Sequence, residues 1–288
     1  MENNIGSKKE YSDKPADVGF KQMMRKIAWS FSLILAVAFG ASALSQVGNA
    51  TASARLANQP ASAEQIFALA NQARAEAGVG VLQWDQALAA AALKHCQRMA
   101  VEGPIAHRYG GELDLSERAA QAGARFSVIE ENVALGPVAS TIHEQWMHSP
   151  GHRTNLLSPE VDRVGVAVVA ARGELYAVAD YSRGVEKLSA AQVEARVAQL
   201  MSRGGVEILR DPSQARAACA MDGGMPRAQS AATPRFVIRW QGAELTQLPQ
   251  ALADKLASGR YRQAAVGNCP AQSDAGSFTA YRLAVLLY

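Results

Sequence analysis

The chain has 288 residues, 49% hydrophobic and 19% charged, which is enough apolar material for one large core or two ordinary ones. Its formal charge of +3 is concentrated at the start, where residues 1–26 hold six Lys/Arg against four Asp/Glu. The near-neutral remainder contains no Lys/Arg run, which excludes a nucleic-acid footprint.

Lys21, Arg25 and Lys26 precede an uncharged, largely apolar run from Ile27 to Ala43. The run closes on Ala41-Ser42-Ala43, the small residues a signal peptidase requires. A spanning helix needs about 20 apolar residues, so this run is short for one. Residues 1–43 therefore read as a cleaved signal peptide, with an uncleaved N-terminal membrane anchor as the alternative, and the body as exported. The long stretch ahead of the run leaves Met23 or Met24 as a possible start, and no Cys follows it to carry a lipid. In an oxidising compartment Cys219 and Cys269 can pair, leaving Cys96 as a buried thiol. His95 beside Cys96 does not make it a nucleophile, because adjacent helical residues point about 100° apart.

Residues 44–60 are small and polar, a linker ending at Pro60. Ser62 can cap a helix carrying Ile66, Leu69, Ala70, Ala73 and Ala77, ended by Gly78. Asp85 caps a second helix with Leu88, Ala91, Ala92, His95 and Met99 on one stripe. His95 in that stripe reads as a hydrogen-bonded core histidine. A loop with Gly103, Pro104, Gly110 and Gly111 carries His107, and LSERAAQAG forms a short helix stopped by Gly123. FSVIEENVALG then holds an acidic pair followed by Asn132. VASTIHEQWMHS is a further helix, broken at Pro150-Gly151. VGVAVVA and ELYAVADYS read as two strands joined in a hairpin at Arg172-Gly173. The expected order is helix, helix, short helix, helix, hairpin: a layered domain of about 125 residues, residues 61–185. A helix over 186–205 connects it to residues 206–288, a small, mostly β module with no histidine, stapled by Cys219–Cys269.

All five histidines (95, 107, 143, 148 and 152) fall within one stretch. The motifs LQWDQALAAAALKHCQRMA, His107, EENVALG, WMHSPGHRTNLLSP, VGVAVV and YAVADYS occur there in order. Together they make residues 66–183 resemble the CAP superfamily (cysteine-rich secretory proteins, antigen 5, pathogenesis-related 1), in particular its bacterial SCP-like extracellular branch. The resemblance implies an α+β fold, an α-β-α sandwich whose cleft holds two histidines and acidic residues. Carried over by position, the cleft residues are His107, Glu131 and His152. Many eukaryotic members place a further Glu where this chain has Ser149, so the four-residue set is incomplete here.

Two imidazoles and a carboxylate suit zinc or another divalent cation, with water completing the shell. The same carboxylate can instead fix a histidine tautomer in a metal-free, hydrogen-bonded cleft. Asn132 adjoins the cleft glutamate, and Arg153 is either a cleft-edge cation or a solvated one. Trp146 reads as core packing, and Asn155 as a turn-stabilising side chain. Pro150-Gly151 disrupts the i, i+4 relation of His148 and His152 and argues against an HxxxH zinc motif, while His143 reads as a surface or interhelix residue. There is no GxSxG and no HExxH. The leading expectation is an exported binding or effector module, secreted, periplasmic or in the cell envelope, for a lipid, glycan or cell-wall ligand. A metal-dependent hydrolase using His107, Glu131 and His152 is one alternative, and a structural or adhesive extracellular domain is another.

Overall fold

The structure is a computed structural model, and it describes residues 59–202, 204–226, 233–270 and 277–288. The signal or anchor expected over 1–43, and all but the last two residues of the 44–60 linker, lie outside the described residues. Among the described residues no helix is long and apolar enough to cross a membrane.

Helix α1 (Gln59–Glu76) takes in the last two residues of the expected linker, with Pro60 in its first turn. Proline is tolerated there because the missing N–H would have had no helical partner. The helix buries Ala63, Ile66, Ala70, Ala73 and Arg74 at three- and four-residue spacing. It stops at Gly78, whose φ of +70° closes the last turn without a Cβ penalty. The two-residue strand β1 (Gln83–Trp84) follows. Asp85 then caps α2 (Gln86–Glu102), accepting from the Ala87 and Leu88 amides at 2.8 and 3.0 Å. Helix α3 (Leu115–Gln121) opens on a reciprocal Asp114–Glu117 capping box.

Next come β2 (Phe126–Gly136), α4 (Ala139–His148), α5 (Pro150–Leu156), β3 (Arg163–Ala171) and β4 (Glu174–Gly184). Sequence reading placed no strand at β1 or β2, and it treated Pro150-Gly151 as a break. In the structure Ser149 alone separates two helices, and Pro150 opens the second of them. The hairpin expected at Arg172-Gly173 is present, with φ of +53° and +87°. Two successive positive φ values match the twist of the flanking strands.

The first sheet runs β1-β3-β4-β2, with β1 parallel to β3 and the other pairs antiparallel. On one face Ile66, Ile142, Trp146 and Leu156 from α1, α4 and α5 pack on Val164, Val166, Val168 and Tyr181. On the other, Ala92, Cys96 and Met99 of α2 pack on Val133, Ala167 and Val178, while α3 adds Ala119 beside Leu88 and Phe126. This is the α-β-α sandwich that the motifs implied. Cys96 is fully buried and its thiol is pushed up to about 12, mainly by burial, so it is an inert core group.

Residues 190–288 build a second sheet. Its elements are α6 (Ala190–Ser202), β5 (Glu207–Ile208), α7 (Ser213–Ala220), β6 (Phe236–Gly242), α8 (Gln250–Ala257), β7 (Gln263–Cys269) and β8 (Tyr281–Leu287), in the order β5-β7-β8-β6. The helix expected as a connector over 186–205 is α6. It buries Val193, Val197 and Met201 against Val266, Leu283 and Val285, so it belongs to this second core. The Cys219–Cys269 disulfide is formed and ties α7 to β7 across 50 residues of sequence. Opening it is expected to cost this sheet about 2–5 kcal/mol. Hydrogen exchange with and without reductant tests this: deprotection should be confined to residues 190–288, and unchanged protection there would refute it.

Candidate cleft on the edge strand

Strand β2 lies at the edge of the first sheet and holds the acidic pair of EENVALG in mid-strand. Glu131 is buried and has partners on both oxygens. His107 Nδ1 lies 2.9 Å from Oε1, and Arg118 Nη2 donates to Oε2 at 2.5 Å. Burial pushes the Glu131 carboxyl up, but the His107 hydrogen bond and the charges of Arg118, His95 and His107 outweigh it and hold it below its ordinary value.

The loop carrying His107 is fixed from beneath. Arg118 also donates from Nη1 to the His107 and Leu113 carbonyls, both at 3.2 Å. His95 is buried in the α2 stripe, with Nδ1 2.7 Å from Glu112 Oε1 and Nε2 2.8 Å from the Ala106 carbonyl. A carbonyl only accepts, so Nε2 carries a hydrogen. His95 thus has the hydrogen-bonded core setting that its sequence position implied. It also braces the cleft loop, with Nε2 3.9 Å from Glu131 Oε2.

The opposite wall is built by α5. Asn132 Nδ2 donates to the His152 carbonyl at 2.9 Å. Asn155 Nδ2 donates to the Glu131 carbonyl and to Asn132 Oδ1, at 3.2 and 3.0 Å. Trp146 is fully buried beneath them, and its Nε1 donates to the Val133 carbonyl at 3.2 Å. The half-buried His152 ring has a lowered pKa, first through burial and then through the nearby charge of His107. Ser149 lies between α4 and α5, where its backbone carbonyl accepts from the Arg153 amide at 2.8 Å, and Arg153 itself is exposed. His148 Nδ1 is 2.8 Å from the Glu144 carbonyl, one turn back on its own helix. His143 is half-buried, with its pKa lowered chiefly by burial.

Two cleft residues escaped sequence reading, Arg118 and Asp180. Asp180 is the register partner of Glu131 on β4 and is fully buried. Burial and the Glu131 charge hold its carboxyl well above the usual range, with Arg118 opposing. Hydrogen bonding between its side chain and that of Glu131 raises it further. The available signals were an isolated acid in an apolar strand and the one cation of a seven-residue helix. Because the folded pKa of Asp180 is raised, its neutral form is the favoured one, and stability declines as pH climbs from about 4 towards the raised value. Asp180→Asn is therefore expected to make the protein more stable at pH 8 and to flatten that decline. Urea unfolding at pH 5 and pH 8 checks this, and a variant less stable than wild type at pH 8 would sink it.

Residues 67–181 match the model of the cysteine-rich secretory protein family, CAP. This segment is a CAP domain. Over 117 residues the chain is 33% identical to the uncharacterized membrane protein YlbC of Bacillus subtilis strain 168, covering 38% of this chain and 32% of that protein. Over 110 residues it is 29% identical to the uncharacterized protein YkwD of the same organism, covering 37% and 42%. The chain therefore spans well under half the length of these curated relatives. A solved extracellular protein containing an SCP domain, from Bacillus anthracis strain Ames, is 26% identical with a TM-score of 0.41, over 43% of this chain and 41% of that one.

The CAP cleft brings His107, Glu131, Asn132, His152 and Asn155 together on one edge, with Arg118 and Asp180 below. Among the described residues no group of three or more His, Cys, Asp and Glu side chains is arranged to hold a metal ion. Glu131 is already bonded to His107 and Arg118. As placed, these residues do not fit the three-ligand zinc site that their types allow.

Proposed function

We propose that the protein is exported and that its CAP domain is a binding or effector module whose His107–His152 cleft recognises a glycan or other cell-wall component. The observation that carries this reading is the engagement of Glu131, the carboxylate behind His107. Its bonds to His107 and Arg118 make it a brace for the cleft walls and not a base poised over a substrate. The groups the cleft offers outward are polar, led by the His107 ring with 53% of its side chain exposed. Imidazole nitrogens suit hydroxyl and amide partners better than acyl chains, which favours a glycan over a lipid.

The test is co-sedimentation of the intact chain with insoluble peptidoglycan. His107→Ala/His152→Ala should weaken binding about tenfold, or 1.4 kcal/mol, while His148→Ala leaves it unchanged. Equal sedimentation of wild type and double variant would overturn the reading. Zinc calorimetry on the same proteins supplies the contrast: tight binding abolished in the double variant would replace it with a metal site. Release of soluble fragments that stops on chelation would make the protein a metal-dependent hydrolase. Uptake by lipid vesicles without peptidoglycan binding would also refute the glycan assignment.

A further inference from the structure

We infer that residues 190–288 are a second, shortened copy of the fold of residues 59–184, retaining its frame and lacking its cleft. The two sheets have the same strand order, β1-β3-β4-β2 and β5-β7-β8-β6. Strand directions also agree: the first pair is parallel in each, and the other two pairs are antiparallel. The opening strand has two residues in both and is held by equivalent bonds. Gln83 and Asp85 amides donate to the Asp162 and Val164 carbonyls, and Glu207 and Leu209 amides donate to those of Arg262 and Ala264.

The helices correspond as well. One helix precedes the opening strand, and another lies between the second and third strands of each copy (α1 and α4, α6 and α8). In each copy these two helices share one face of the sheet. The helix after the opening strand, α2 or α7, covers the other face. The contact it makes there is of an unusual kind. A Cβ on Gly165 of β3 would lie 2.0 Å from the Ala89 nitrogen of α2. A Cβ on Gly267 of β7 would lie 2.2 Å from the Ala215 carbonyl carbon and the Arg216 nitrogen of α7. In both copies helix backbone rests directly on a strand glycine, an approach that any larger residue prevents. Gly165 is one residue past the β1 pairing and Gly267 three past that of β5, so α7 sits two residues further along the same face.

Aligning the copies on these glycines shows what the second has lost. The station of Asp180 is taken by Ala284, and that of Glu131 by Arg239. Arg239 donates to the Ala218 and Gly224 carbonyls at 2.6 and 2.7 Å, tying the end of α7 and the chain beyond it to β6. Residues 190–288 contain no histidine, and the α3 and α5 helices that frame the first cleft have no counterpart among the described residues. The second copy is a structural companion, and ligand recognition through paired imidazoles belongs to the first.

The test is hydrogen exchange on the intact chain carrying Gly267→Ala or Gly165→Ala. Gly267→Ala should lower protection at least tenfold in 213–220 and 263–269 while sparing 86–102 and 163–171, and Gly165→Ala should do the reverse. Unaltered protection of 213–220 in Gly267→Ala overturns the inference. Should either variant fail to fold, an experimental structure of the wild-type chain decides. A parallel 207–208/263–264 pair within the order β5-β7-β8-β6 upholds the duplication, and any other order overturns it.

Discussion

Replacing Arg74 by methionine is expected to destabilise the chain by about 3–5 kcal/mol, read as a lower urea midpoint at unchanged slope. Arg74 lies on the buried stripe of α1 and is 1% exposed. Its Nε donates to the Gly80 carbonyl at 2.6 Å, Nη1 to the Leu156 and Ser158 carbonyls at 2.9 Å, and Nη2 to the Val161 carbonyl at 3.1 Å. One guanidinium thus joins the turn after α1 to the segment between α5 and β3. Methionine fills the volume of the stem but leaves four acceptors without this donor, at about 1–3 kcal/mol for each one that stays buried. Release of the guanidinium from burial offsets part of that sum, which keeps the net effect below the total. Lysine should fall between the two, since a single nitrogen cannot reach carbonyls spread around a planar fork. A loss under about 1 kcal/mol for methionine would show that the contacts are replaced by water.

Glu131→Ala is expected to cost a similar amount, about 3–5 kcal/mol, because it strands a buried charge. The Arg118 side chain is 6% exposed, and its counter-charge is Glu131. Adding Arg118→Met should therefore recover part of the loss, and a double-mutant cycle reads the coupling directly. The pH dependence provides a second handle. The folded-state pKa of Glu131 lies below its unfolded value, so its contribution is complete above about pH 5 and disappears as pH falls through the folded value. The acid limb of the stability curve should accordingly be shallower in the variant than in wild type. Strict additivity of the two substitutions would rule out the ion pair as the source of the effect.

Much of the first domain was legible in sequence because its signals are local. Asp85 as a cap needs only an acceptor ahead of an apolar stripe. The Arg172-Gly173 hairpin depends on chain twist between two β-branched runs. His107, Glu131 and Trp146 stood out through motif order, and the His107–Glu131 contact spans 24 residues that the motifs bracket. Strand β2 was harder to read, because Glu130, Glu131 and Asn132 interrupt the apolar alternation by which an edge strand is recognised.

Local signals do not extend to groups whose partners are distant in the chain. Arg74 reads as an ordinary helical cation until its carbonyl partners, 82 to 87 residues away, close around it. Asp180 reads as an interruption in a strand until register sets it opposite Glu131. The likeness of the second sheet to the first is equally invisible in sequence. It lies in strand order, in the side each helix occupies and in two glycines under helix backbones, none of which requires shared side chains. Sequence alone determined the cysteine pair and the motif-bearing cleft of the CAP domain, because composition and short-range spacing carry them. Tertiary structure decided which charges share the cleft floor and that the fold is built twice. Burial and cross-strand register act between residues far apart in the chain, where spacing in sequence carries no information.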